Sequence, residues 1–255
     1  MFIYNTGENH WDRLQSWPLA CDSGCAAKSR PLYLTSGFGL SFAVPAGRDP
    51  QSAYDEYVSD PAKPVPYQPR PVRFSDSAAW QRWLVTDQRT SADRTDVLTY
   101  VTPPLAEPLR ISGAPIANLV ASTSGTDSDW VVKLIDVFPD EVPSQVELSG
   151  YQLGVAMDIF RGRYREGFET AKPIAPDKPL PYTFVLPTVN HTFQRGHRVM
   201  VQIQSSWFPL YDRNPQTFVP NIFWAKPEDY RKATQRIYHT PGHASFIELP
   251  LVKTP

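Results

Sequence analysis

The chain has 255 residues, with 25 basic and 26 acidic side chains and a formal net charge of −1. That near-balance excludes a polyanion binder, because neutralising nucleic-acid phosphates needs a basic surplus. It also lacks any apolar run near the ~20 residues of a membrane-spanning helix, and its N-terminus carries no basic-then-apolar leader pattern.

Hydrophobic residues at 41% are enough for a sizeable core, and 27 prolines keep helices few and short, since proline lacks a backbone donor and clashes inside a helix. Residues 1–75 are broken by prolines so often that only short strands fit, such as Phe2-Ile3-Tyr4 and Pro31 to Leu34. Cys21 and Cys25 flank a turn-forming Asp-Ser-Gly, which suits either a small disulfide loop or two free thiols. Asp60 to Pro66 reads as an extended surface crossover, because residues before proline avoid the helical region.

Ser77 to Leu84 predicts a short helix behind possible caps at Ser75 and Asp76. Leu109 to Ala121 predicts a strand with a bend at Gly113 and Pro115, and Trp130 to Phe138 a strand covered on both faces. Arg161 to Arg165 reads as a polar strand edge. Tyr182 to Leu186 and Val199 to Gln204 alternate with period two, and Ser245 to Val252 forms a last apolar run. Pro227 to Arg236 predicts a second helix, with proline in the first turn and Glu228 and Asp229 complementing the helix dipole. The expected fold is an all-β, mostly antiparallel sandwich with one or two short helices, as one domain over residues 1–255.

No catalytic set emerges from the residues. No GxSxG elbow occurs, and the five histidines are scattered. Ser205 and Ser206 read as hydroxyls satisfying backbone at a strand exit. His239 and His243 have metal-like spacing, but Pro241-Gly242 between them forbids the helix it needs, so no metal or cofactor is expected. Asp127 and Asp129 lie in a turn-rich stretch without EF-hand spacing and read as solvated.

An ordered set of segments resembles one family. Gly7-x-x-x-Trp11 followed by Trp17-Pro18, Asp60-Pro-x-x-Pro-Val-Pro66, Lys133-Leu-Ile-Asp-Val-Phe-Pro-Asp140, Gly196-His-Arg-Val-Met-Val-Gln202, Ser206-x-Phe-Pro-x-Tyr-Asp-Arg-Asn214 and the His239 to Pro250 stretch occur in this order. They resemble the C-terminal domain of the cocaine esterase-like and X-Pro dipeptidyl-peptidase-like α/β-hydrolases. Tyr4 to Asp12 and Arg236 to Pro250 are most similar to α-amino acid ester hydrolases, the β-lactam antibiotic acylases.

The resemblance implies a galactose-binding-like jelly roll that packs on an α/β-hydrolase catalytic domain, with the Ser-His-Asp triad in that domain and outside this chain. It places Phe74, preceded by Arg73, at the rim of the acyl pocket, and gives Trp11, Trp17, Asp212, Arg213 and Asn214 structural or interface roles. It also implies a periplasmic or secreted parent and admits a homo-oligomer. An alternative reading is a stand-alone carbohydrate- or ligand-binding sandwich using some of the seven tryptophans. A row of solvent-facing tryptophans would favour it.

Overall fold

Period-two alternation and dense proline leave short strands as the main element of the chain. The computed structural model describes residues 1–21, 23–25, 27–46, 53–68, 70–71 and 77–253. The opening third holds β1 (Phe2–Asn5), β2 (His10–Arg13), β3 (Arg30–Thr35), β4 (Gly39–Ser41) and β5 (Tyr54–Ser59). Helix α1 (Ser77–Leu84) occupies the expected position and is followed by the single turn α2 (Arg89–Ala92). Next come β6 (Leu98–Val101), β7 (Leu109–Gly113), β8 (Ile116–Thr123), β9 (Asp129–Val137), β10 (Gln152–Arg161) and β11 (Leu180–Val185). The chain continues with β12 (Val189–Phe193), β13 (Arg198–Gln204), β14 (Ala233–Thr240), β15 (His243–Ala244), β16 (Phe246–Leu249) and β17 (Leu251–Val252).

One hydrogen-bonded path runs β10-β9-β13-β6-β4-β3-β16-β8-β14-β15, with β11 joined to β8 and β5 to β14. β12-β7-β17 form a smaller sheet and β1-β2 a hairpin. Every pairing of these strands is antiparallel except the one-residue contact of β4 with β6, Gly39 to Val101. A path this long twists and curls, so its distant members meet face to face. Trp130 of β9 packs on Tyr182 of β11 at 5.3 Å, and Phe160 of β10 stacks on Phe184 of β11 at 5.2 Å. A single core therefore collects Leu32, Tyr57, Leu119, Trp130, Val201 and Ile237 from strands far apart along the path. The fold is a predominantly antiparallel β-sandwich of the jelly-roll class.

The bend read at Gly113 is where β7 leaves for the small sheet while β8 joins the large one. Gly113 has φ 157°, and a Cβ there would lie 2.4 Å from the Ala20 carbonyl oxygen, so glycine is required by both conformation and space. β9 is buried along its whole length, flanked by β10 and β13, as its almost continuous apolar run predicts.

The second helix is corrected. Pro227–Asp229 makes one 3₁₀ turn, in which the Asp229 carboxylate accepts from the Lys226 amide at 2.8 Å. β14 then begins at Ala233. Ala233, Gln235, Ile237 and His239 are buried in strict alternation, and β14 pairs with β5 on one side and β8 on the other. The signals of a helix start were real but local. Period two over the next eight residues decided the element.

Candidate functional site

The crossover and the segment following β13 are strapped together. The Val65 amide donates to Ser206 Oγ at 2.9 Å, and the Tyr67 amide donates to the Phe208 carbonyl at 2.7 Å. Asp60 folds the start of the crossover by accepting from the Ala62 amide at 2.9 Å. Between this strap and α1 lies a groove of about 290 Å³ lined by Tyr67, Gln68, Arg70, Pro71, Trp83, Pro209 and Leu210. Tyr67 lies at the centre of its aromatic wall, edge-on to Trp83 at 5.7 Å and against Trp207 at 5.1 Å. Its hydroxyl donates to the Trp83 carbonyl at 3.0 Å, and burial pushes its pKa up to about 12. The Arg70 guanidinium sits 4.9 Å over the Phe208 ring, so this cation of the rim is held by a π face.

Behind Tyr67, Lys133 of β9 is sealed from solvent. Its Nζ donates to Gln88 Oε1 at 2.9 Å and lies 5.9 Å from the Tyr67 ring, and burial pulls the amine down to about 7.

The segment Asp212-Arg213-Asn214 sends each of its side chains to a different part of the fold. Asp212 pairs with Arg161. Arg213 donates to the Pro61 carbonyl at 2.8 Å and lies 5.2 Å over the Tyr230 ring. Asn214 donates to Asp129 Oδ1 at 2.8 Å. Arg213 also lines a second, wider groove of about 730 Å³ with Asp60, Pro61, Ala62, Ala225, Pro227, Tyr230 and Lys232. Phe223 and Trp224, beside Ala225 in sequence, are 78% and 82% exposed.

Two readings of polar loops are corrected. Asp127 and Asp129 are not solvated; both are buried. Asp127 is gripped by Arg163, from Nε at 2.9 Å and Nη2 at 2.7 Å, while Asp129 takes the Asn214 amide. Burial nonetheless pushes Asp129 up to about 7, against the opposing charge of Arg161. Arg161 to Arg165 is likewise not simply a strand edge: Arg161 ends β10, but Arg163 turns inward on a 3₁₀ turn to meet Asp127. A buried carboxylate and a buried guanidinium each require the other.

Trp11 is exposed on β2 and leans edge-on against Tyr4 at 5.2 Å, while Trp17 is half-buried. Cys21 and Cys25 are joined by a disulfide. His239 and His243 do not meet: across the β14-β15 hairpin His239 is opposite Ala244 and His243 opposite Thr240, and the buried His239 lies 3.1 Å from Asp55. Phe74 and Arg73 lie outside the described residues. The groove residues Tyr67, Trp83 and Leu210 were not singled out in the sequence, and Lys133 entered only as the first residue of a family segment. Of these, only Lys133 carried a signal, as one of two charges, with Asp136, inside a largely apolar strand.

This is a β-sandwich with buried ion pairs in its interior and an aromatic groove built from the crossover, α1 and the segment following β13. The family model for the X-Pro dipeptidyl-peptidase C-terminal non-catalytic domain matches residues 3–248, and the chain belongs to that family. It is 33% identical over 260 residues to the cocaine esterase of Rhodococcus sp. (strain MB1 Bresler), covering 98% of this chain and 41% of the esterase. Among solved structures, an α-amino acid ester hydrolase labelled with selenomethionine is 64% identical with a TM-score of 0.95, over 98% of this chain and 41% of that one. An aminopeptidase from a marine sediment archaeon, Thaumarchaeota archaeon, is 55% identical with a TM-score of 0.91, over 99% of this chain and 40% of that one. The chain thus spans about 41% of the length of the curated esterase that it matches.

Proposed function

We propose that this chain is the accessory β-sandwich of a serine α/β-hydrolase acting on α-amino acid esters, β-lactam amides or X-Pro peptides. In this reading it docks on the catalytic domain and walls one side of the acyl pocket. The observation that carries it is the groove of Tyr67, Trp83, Pro209 and Leu210 with Arg70 and Pro71 on its rim. In sequence, Pro71 is followed two and three positions on by Arg73 and Phe74, the positions that the family resemblance assigns to the pocket. An apolar wall with few polar groups suits the side chain of an acyl donor, not its reacting carbonyl. The 64% identity to an α-amino acid ester hydrolase supports amino-acid esters as the first substrates to try.

The carbohydrate-binding alternative gains little support. Among the tryptophans whose side chains are described, only Trp11 and Trp224 are exposed, and they sit on separate elements, the β2 strand and the 222–224 turn. An ester-hydrolysis assay of this chain alone, beside the product of its full reading frame, tests the proposal. Turnover of amino-acid esters by the full product and none by this chain is expected. Turnover by this chain that disappears on mutating one of its own residues would defeat the accessory role.

A further inference from the structure

The hydrolase reading leaves the N-terminal hairpin unused, and the hairpin holds a second arrangement of reactive side chains. Thr6, in the turn between β1 and β2, places Oγ1 2.7 Å from Nδ1 of His191 on β12. The same imidazole presents Nε2 to Oδ2 of Asp136 on β9 at 3.2 Å. The other oxygen of that carboxylate meets Nδ1 of His197 at 2.9 Å. His191 and Asp136 are sealed, at 0% and 1% exposure, whereas Thr6 is an exposed residue. The ring is held edge-on by Phe193 at 4.6 Å, and the hairpin is pinned next to it by Asn5 donating to Thr192 Oγ1 at 2.9 Å.

The directions of these hydrogen bonds follow from the carboxylate. Burial pushes Asp136 up, but hydrogen bonds from His191 and His197 offset this and hold it below the ordinary range, so it is ionised and only accepts. His191 must then donate from Nε2, and in the neutral ring Nδ1 is left as an acceptor aimed at Thr6. Hydroxyl, imidazole and carboxylate in series make a nucleophile, its base and the group that orients the base.

We propose that Thr6 is an acyl-accepting hydroxyl, modified by activated esters with His191 as its general base and Asp136 orienting that base. Oγ1 forms a bond to the ester carbonyl carbon while its proton passes to Nδ1 of His191. The bond from that carbon to the leaving oxygen then breaks, and His191 returns the proton to the departing phenol. The products are a threonine ester and one free phenol, with no change of oxidation state.

The neighbouring backbone donors are already used: the Thr6 amide by the Asn190 carbonyl, and those of Gly7 and Glu8 by Asn5 Oδ1. Among the described residues no free donor awaits the tetrahedral oxyanion of either step, so only an ester with a good phenol leaving group acylates the hydroxyl. The threonine ester, with its poorer alkoxide leaving group, then persists, and the event is stoichiometric and not a turnover.

Incubation of the 255-residue chain with 4-nitrophenyl acetate at neutral pH, followed by peptide mass mapping before and after hydroxylamine, tests this. Hydroxylamine cleaves oxygen esters and leaves acetylated amines intact. A hydroxylamine-sensitive acetyl on the peptide bearing Thr6 is expected, formed roughly a hundredfold faster than any other hydroxyl ester. It should vanish in Thr6→Val and persist or accelerate in Thr6→Ser. His191→Gln should slow it by a similar factor. Should that buried substitution unfold the chain, the Thr6 pair at the surface still decides. Acetyl groups confined to hydroxylamine-resistant amines, or equal ester labelling in Thr6→Val, would overturn the proposal. Continued phenol release that survives Thr6→Val would overturn it too, and would count separately against the accessory role.

Discussion

Arg163 and Lys133 are both cations sealed inside the sandwich, at 3% and 0% exposure, and they are held in opposite ways. Arg163 turns two of its nitrogens to Asp127, donates also to the Val219 carbonyl at 2.8 Å, and rests 4.8 Å over the Phe218 ring. Lys133 has one neutral acceptor, Gln88, and among the described residues no carboxylate within ion-pair distance. Near it along β13, Gln202 and Gln204 each keep an unpartnered buried side-chain oxygen. A planar fork satisfies its charge in one rigid geometry, whereas a point charge on a flexible stem is left under-solvated and gives up its proton instead. Arg163 is therefore a mechanical tie, and Lys133 a source of pH dependence.

The largest expected effect comes from breaking the tie. Arg163→Met leaves Asp127 buried without its counter-ion, and should cost about 3–5 kcal/mol in urea unfolding at pH 7. The double change Arg163→Met with Asp127→Leu should recover most of that loss, because it removes the stranded charge. A single-variant loss under about 1 kcal/mol would mean that water reaches Asp127 and the two sites differ less than their burial says.

Lys133→Met should act in the other direction. Burial takes the amine from 10.5 to about 7, so between those values the unfolded chain binds a proton that the folded chain has shed. Stability then rises with pH across that window, and the penalty is complete below about pH 7. Removing the amine should stabilise the chain by about 2–4 kcal/mol at pH 6, and by progressively less toward pH 10. Calorimetric melting over that range would show it. A destabilised Lys133→Met at pH 6 would mean that the charge has partners that its single hydrogen bond does not reveal.

Asp129 supplies a smaller slope of the opposite sign. Its carboxyl is pushed from 3.8 up to about 7 by burial, so the folded chain holds a proton that the unfolded chain has lost in that interval. Stability should therefore fall as pH rises from about 4 to 7. Asp129→Asn keeps an oxygen for the Asn214 amide and should flatten this fall, gaining about 1–2 kcal/mol at pH 8 relative to pH 4. An unchanged slope would place the proton elsewhere in the Asp127-Asp129-Arg161 cluster.

The strands and helix α1 were legible in the sequence because their signals are local. β13 and β11 show period two, and the almost continuous apolar run of β9 predicts cover on both faces. The buried charges were not legible. Asp127 and Asp129 sit among Ser, Thr and Gly, a composition that normally faces water, and their partners Arg163 and Asn214 arrive from later segments. Thr6 and His191 are 185 positions apart and meet only because β12 seats the hairpin. Pairings of this kind depend on register and on how sheets curl, which no short window contains. The groove was missed for the same reason, since Tyr67, Trp83 and Leu210 come from three separate segments.

Arg213 is an intermediate case between the two buried cations, and should give the smallest effect. It is half-buried, and its partners are a carbonyl and two rings: Pro61, Phe208 at 5.7 Å and Tyr230 at 5.2 Å. Its loss strands no counter-ion, because the neighbouring Asp212 is paired with Arg161. Arg213→Ala should therefore cost about 1–2 kcal/mol, from one charge-assisted hydrogen bond and two ring contacts. Arg213→Lys should recover only part of this, since an ammonium can donate to Pro61 but cannot lie flat on the rings. If the full reading frame encodes the proposed hydrolase and its catalytic domain covers the wider groove, the same substitution there should lower melting temperature more than turnover. If melting were unchanged while hydrolysis disappeared, Arg213 would be a substrate-binding group, and the wider groove, not the aromatic one, would face the acyl donor.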